Sequence, residues 1–261
     1  MTFLEIAGLT NFTAMDVGTM LMLAIAAFVA GALNAVAGGG TFFTLPALIF
    51  AGLPPVMANA TSAAVVSPGY ISAAMGFREA LASVDRRDMF LLLLLACAGA
   101  VLGSFLLLGT SDSLFRALAP YLLLLATVLF YFGPRMSARH TAGHSSSLLE
   151  RTGLLLVSGY GGYFNGGLGI ALLSVFSISG RTDLNLMNGL KCVVSATLSA
   201  VSVAVFAFAG LIHWSGALAM MILATAGGYV GAHFVQRVDP ERVRIFVLTT
   251  GVFMTLVLFI F

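Results

Sequence analysis

Apolar positions in this chain fall in long blocks, and polar positions collect in the short gaps between them. The blocks cover roughly residues 17–50, 58–77, 89–109, 117–133, 152–178, 185–209, 215–235 and 245–261. Many approach the length of about 20 residues at which a helix spans a bilayer. Two of them carry glycine clusters near their centres. The 17–50 block contains "NAVAGGGTFF", residues 34–43, and the 152–178 block contains "GYGGYFNGGLG", residues 159–169. Each glycine costs about 1 kcal/mol against alanine in a helix interior. Both blocks are therefore expected to be helices broken partway along.

Composition turns this pattern into a fold class. Of the 261 residues, 60% are apolar and 8% charged, where a soluble domain carries about 25% charged residues. Too little polar surface remains for a soluble helical protein, so the expectation is an all-α polytopic membrane protein. No basic residue precedes the first apolar block, which argues against a cleaved signal peptide. Cys97 and Cys192 both lie in apolar blocks and read as free thiols. The scattered histidines and two distant cysteines do not supply a zinc ligand set. No G-x-x-x-x-G-K-[ST] loop is present, so no nucleotide is expected to drive the protein. Neither a cofactor nor a nucleic-acid partner is expected.

The longest polar stretch, residues 133–151, divides the chain into repeats at 1–132 and 152–261 and reads as a solvated linker. A shift of 128 residues places Gly31 on Gly159, Gly38 on Gly166, Gly39 on Gly167 and Gly52 on Gly180. The same shift places Gly99 on Gly227, Gly103 on Gly231 and Arg116 on Arg244, and one added residue brings Asn59 onto Asn188. In the first half Arg78, Arg86 and Arg87 crowd one gap, whose equivalent near His213 has no Lys or Arg. The next gap reverses the bias, with Arg116 against Arg237, Arg242 and Arg244. Under the positive-inside rule, equivalent gaps then lie on opposite sides of the membrane. That is an inverted-topology repeat.

Inversion needs an odd number of crossings per half, and each half has four blocks. The glycine-broken block is the one expected not to cross. Each half then has a re-entrant hairpin (17–50; 152–178) and three crossing helices (58–77, 89–109 and 117–133; 185–209, 215–235 and 245–261). This arrangement places linker 133–151 in the cytoplasm and both termini outward, in a multi-pass plasma membrane such as a bacterial inner membrane. Block 17–50 is also long enough to cross once and then re-enter. Irregular backbone at membrane depth is tolerated only beside protein or a water-filled cavity. A half-helix starting after such glycines aims free N–H groups and its positive dipole end at that cavity. The glycines fit tight helix packing as well; the duplication and the charge pattern favour a site.

Two stretches resemble a known family. "AVAGGGTFFTLPALIFAGLPPVMANATSAAVVSPGYISA" is similar to the first signature of the TauE/SafE (sulfite exporter) permeases. "GYGGYFNGGLGIALLSVFSISGRTDLNLMNGLKCVV" is similar to the second, and "GLIHWSGAL" and "GGYVGAHFVQRVDPERVR" follow in order. The likeness spans nearly all of residues 20–261. It implies duplicated helical bundles that move small, often sulfur-containing anions. Asn165 stands where the family often has glycine, Gly189 where alanine is usual, and His213 and Ser215 flank Trp214 in place of an Asp or Val and a Pro.

The candidate substrate-binding residues are Asn34, Gly38, Gly39, Gly40 and Thr41 at the first break, and Asn165, Gly166 and Gly167 at the second. Asn59 with Ser62, and Asn188 with Lys191, complete the set; each pair shares a helix face at i, i+3. An intramembrane lysine is a functional-site hypothesis by default, although Lys191 could also snorkel to the cytoplasmic surface. The expected function is secondary transport of sulfite, sulfoacetate or a similar organosulfonate by alternating access, with H+ or Na+ as a coupling ion. A passive small-anion channel could use the same residues. An intramembrane enzyme is disfavoured, because no G-x-S-x-G occurs and the histidines nearest the membrane, His213 and His233, lie toward opposite faces.

Overall fold

The structure, a computed structural model, describes residues 17–36, 39–139, 147–235 and 240–260. Eleven helices follow one another there: α1 (Val17–Val36), α2 (Thr41–Phe50), α3 (Pro55–Gly76), α4 (Arg78–Leu81), α5 (Arg86–Leu108), α6 (Asp112–Arg139), α7 (Ser147–Tyr163), α8 (Leu168–Ile178), α9 (Leu184–Phe208), α10 (Trp214–Val235) and α11 (Pro240–Ile260). No strand occurs among the described residues. The protein is a helical membrane protein. Residues 17–34, 86–108 and 185–208 are each long and apolar enough to cross a bilayer.

Local chemistry sets several of the boundaries. Asp85 starts α5 by accepting from Arg87 N, and Asp183 starts α9 by accepting from Asn185 N and Leu186 N. Helix α3 opens with Pro55, whose missing N–H costs nothing at that position. The next amide, Val56 N, donates to Asp112 Oδ1 at 3.0 Å, tying the start of α3 to the start of α6. Both glycine-bearing blocks are broken, between α1 and α2 and between α7 and α8.

Residues 133–139 belong to α6 and residues 147–151 to α7, so the stretch expected to be a solvated linker is helical at both ends. Its centre, 140–146, lies outside the described residues. Arg, Met, Leu and Glu are good helix formers, which accounts for the helical ends of the stretch.

Helix pairing keeps its form when the two halves are exchanged. Helix α1 lies along α10, and α7, its counterpart, lies along α5, the counterpart of α10. Helix α6 meets α8 while α11 meets α2, α3 meets α10 while α9 meets α5, and α3 packs directly on α9. Small residues make the closest approaches. A Cβ on Gly31 would run into the Ala224 carbonyl, one on Gly227 into the Phe28 carbonyl, and one on Gly103 into the Gly159 carbonyl. The blocks α2 and α8 also end alike. Gly52 and Gly180 both adopt φ 92°, where a side chain is strained. Leu53 N bonds Leu48 O at 3.1 Å, and Arg181 N bonds Phe176 O at 3.0 Å, which closes each helix with a Schellman-type turn. Around this buried framework Leu102, Leu106, Ile222 and Phe208 stand exposed. A soluble monomer rarely shows so much apolar surface; here it faces lipid.

Candidate functional site

Helices α3 and α9 run antiparallel through the centre. Gly189 lies against Phe77, at the end of α3, since a Cβ on it would come within 3.1 Å of Phe77 Cβ. Ten residues further along α9, Ser199 Oγ donates to Ala63 O at 3.4 Å, near the start of α3. This register separates the two polar pairs. Lys191 lies eight residues from the Ser199–Ala63 level in one direction, and Asn59 lies four residues from it in the other. At 1.5 Å per residue the two are about 18 Å apart along the helix pair. The structure therefore does not bring Asn59 and Lys191 to one small ligand.

Each pair has its own local partners. Asn59 Nδ2 donates to Tyr163 O at 2.8 Å and so holds the last residue of α7. Ser62 Oγ lies 2.6 Å from Thr44 Oγ1, and Thr44 Oγ1 reaches back to Gly40 O at 3.4 Å. These bonds tie α3 to both broken blocks. Lys191 Nζ donates to Asn188 Oδ1 at 3.0 Å and is 4% exposed, so its ammonium is held inside the bundle. Further along the same helix Ser195, Ser199 and Ser202 are also buried, continuing a polar stripe at helical spacing.

What joins the two breaks is Tyr70, which the sequence reading did not single out. Its hydroxyl donates to Asn165 Oδ1 at 3.2 Å. The Asn34 side chain bonds the same hydroxyl. Asn34 is near the end of α1, before the first break, and Asn165 is in the second break, so one phenol links the two halves. Tyr70 is buried and lies seven residues past Ala63, which puts it nearly level with Lys191. No signal in the sequence could have found it: a tyrosine two residues past the helix-interior Pro68 gives no reason to expect a bridge.

The second break is built tightly. Tyr160 OH donates to Gly166 O at 2.7 Å, and Phe164 N donates to Tyr160 O at 2.7 Å. Gly167 caps α8 at φ 71°, with Ala126 directly against it. At the first break Gly39 and Gly40 are buried, and a Cβ on Gly40 would sit 2.8 Å from Ala30 O. Glycine at 40 thus serves close packing of α2 on α1. Thr41 is buried at the start of α2, its Oγ1 without a hydrogen-bond partner. Gly38 lies outside the described residues.

At the opposite end of the α7–α8 hairpin, Arg181 Nε pairs with Glu150 Oε1 at 2.6 Å. A cavity of about 260 Å³ opens beside this pair, between Asp88 on α5 and Arg151 on α7. It lies at the base of the hairpin, away from the breaks. Among the described residues no cluster of three His, Cys, Asp or Glu is placed to hold a metal.

A family model described as "Sulfite exporter TauE/SafE" matches residues 23–258. The chain belongs to the TauE/SafE family. It is similar to a probable membrane transporter protein of Haemophilus influenzae, with 31% identity, covering 92% of this chain and 95% of that one. It is also similar to the probable membrane transporter protein ORF9 of a Sinorhizobium species, at 26% identity over 86% of each chain. The probable membrane transporter protein YfcA of Escherichia coli K12 is 24% identical, over 90% of this chain and 88% of its own. Like its TauE/SafE relatives, the protein is a transmembrane transporter.

Proposed function

We propose that this transporter is a secondary carrier of a small, sulfur-containing anion such as sulfite or an organosulfonate. It would work by alternating access between two inverted repeats. One observation carries the reading: the Tyr70 hydroxyl is bonded to an asparagine from each broken block. A site shared by both halves can be exposed to one side and then the other as the halves rock. The antiparallel register of α3 and α9 and the half-exchanging helix pairs support inversion. The Glu150–Arg181 pair supports a hairpin that returns to the side it entered. In this reading the repeats are 1–132 and 152–261, each with a re-entrant hairpin and three crossings. Arg78, Arg86, Arg87, Arg181 and the linker 133–151 face the cytoplasm of a bacterial inner membrane, while both termini face outward.

Among the described residues Lys191 supplies a positive charge near the depth of Tyr70, which suits an anion of low charge. Asn188 orients it. The buried amide and hydroxyl groups at the two breaks complete the contacts, and H+ or Na+ is the coupling ion. Counterflow in proteoliposomes tests the proposal. A carrier loaded with unlabelled sulfite accumulates labelled sulfite transiently against its gradient. Dissipation with no overshoot identifies a passive anion channel instead.

A further inference from the structure

A hydroxyl has one hydrogen to give. Two asparagines bonded to the Tyr70 hydroxyl therefore cannot both present oxygen to it. In the structure Asn165 presents Oδ1, and its Nδ2 is buried with no hydrogen-bond partner. Asn34 presents its other arm, and its Oδ1 is buried with no partner. The leftovers are an NH₂ group, on Asn165, and a carbonyl acceptor, on Asn34. Turning both amides over exchanges their owners and leaves the same pair. All three side chains are at least nine-tenths buried: Asn34 is 7%, Tyr70 4% and Asn165 3% exposed. Leaving a buried amide arm without a partner is costly, so the site favours a ligand that satisfies both arms.

A fully deprotonated oxyanion cannot do that, because it only accepts and would set its oxygen against the Asn34 carbonyl. A singly protonated oxyanion can: its O–H donates to Asn34 Oδ1 and a bare oxygen accepts from Asn165 Nδ2. We propose that Asn34, Tyr70 and Asn165 form a proton-reading subsite that selects the hydrogen form of an oxyanion, hydrogen sulfite over the sulfite dianion. This selection rests on the carrier reading above and narrows its substrate to sulfite, setting aside the organosulfonates, whose sulfonate group carries no proton. The proton then travels bound to the ligand, and the single charge of Lys191 balances the single charge of the cargo.

Binding to the detergent-purified full-length protein, measured by calorimetry with sulfite between pH 5.5 and 8.5, tests the subsite. Sulfate and methanesulfonate, which carry no proton in that range, serve as controls. The apparent affinity for total sulfite is expected to follow the hydrogen sulfite fraction, weakening about tenfold per pH unit once the dianion predominates, with both controls at least about tenfold weaker. Asn34→Ala removes the acceptor, so the pH slope and the preference over methanesulfonate should both disappear. Tyr70→Phe should weaken hydrogen sulfite binding about tenfold. If Tyr70→Phe fails to fold, the Asn34→Ala slope decides alone. A wild-type affinity that rises with the dianion, or an unchanged slope in Asn34→Ala, overturns the subsite. If wild-type counterflow of sulfite persists in that case, the carrier reading survives. Absence of both binding and counterflow for every anion removes the carrier reading together with the subsite.

Discussion

Arg181 Nε donates to Glu150 Oε1 at 2.6 Å, which joins the residue just past α8 to the first turn of α7. The chain between them runs about 20 Å out along α7, turns at 164–167 and runs about 20 Å back, at 1.5 Å per residue. A segment passing straight through would hold these two residues a membrane's thickness apart.

Cysteines introduced singly at Glu150 and Arg181 should therefore react with a membrane-impermeant maleimide from the same side, the cytoplasmic one. Labelling of one from the outside and the other from the inside would defeat the hairpin. The pair itself is partly buried, at 11% and 23% side-chain exposure. Its coupling in a double-mutant cycle of thermal unfolding should be roughly 1–2 kcal/mol, between surface and interior values.

Close helix approach predicts an asymmetry among glycines. Gly103→Ala puts a methyl into the Gly159 carbonyl, and Gly227→Ala puts one into the Phe28 carbonyl. Each should destabilise the detergent-solubilised protein by about 2 kcal/mol or more, because backbone cannot step aside as a side chain can. Gly76→Ala meets nothing within 4 Å and should be neutral or mildly stabilising. Equal melting temperatures for the three variants would remove the claim.

Lys191 is held by Asn188 at 3.0 Å inside the bundle. Lys191→Ala should lower anion affinity about tenfold or more, and Lys191→Arg should restore only part of it, since a planar guanidinium does not fit an ammonium's place. Unchanged affinity in Lys191→Ala, measured by calorimetry, identifies the lysine as a snorkelling anchor.

His213, in the turn ahead of α10, accepts from Gly216 N through Nδ1 at 3.3 Å, and its own N donates to Thr61 Oγ1 at 3.1 Å. Burial holds its imidazole below the ordinary value of 6.5. The folded state binds that proton less tightly than the unfolded state, so this contribution is complete above about 6.5 and is lost as the pH falls below it. His213→Gln should flatten the stability profile between pH 7 and 5. A profile identical to wild type discards the assignment.

The order of the chain by itself determined the class of the protein. Unbroken apolar blocks can be solvated only by lipid, and glycine clusters weaken a helix, so the helices and the neighbourhood of their two breaks were legible, although Gly159, Gly161 and Gly162 stay within α7. The spacing of Asn188 and Lys191 gave their shared face, because helical periodicity is a local property. Helix continues through 133–139 and 147–151, because polar residues do not by themselves end a helix. Only the tertiary structure decided which polar residues meet. The pairs Asn59–Ser62 and Asn188–Lys191 share one local spacing, yet the antiparallel register of α3 and α9 sends them to different depths. Tyr70 acquires its role from Asn34 and Asn165, which are remote in sequence and brought to one hydroxyl by the packing of the two halves. Such a meeting depends on how whole helices cross, and no local pattern of residues encodes it.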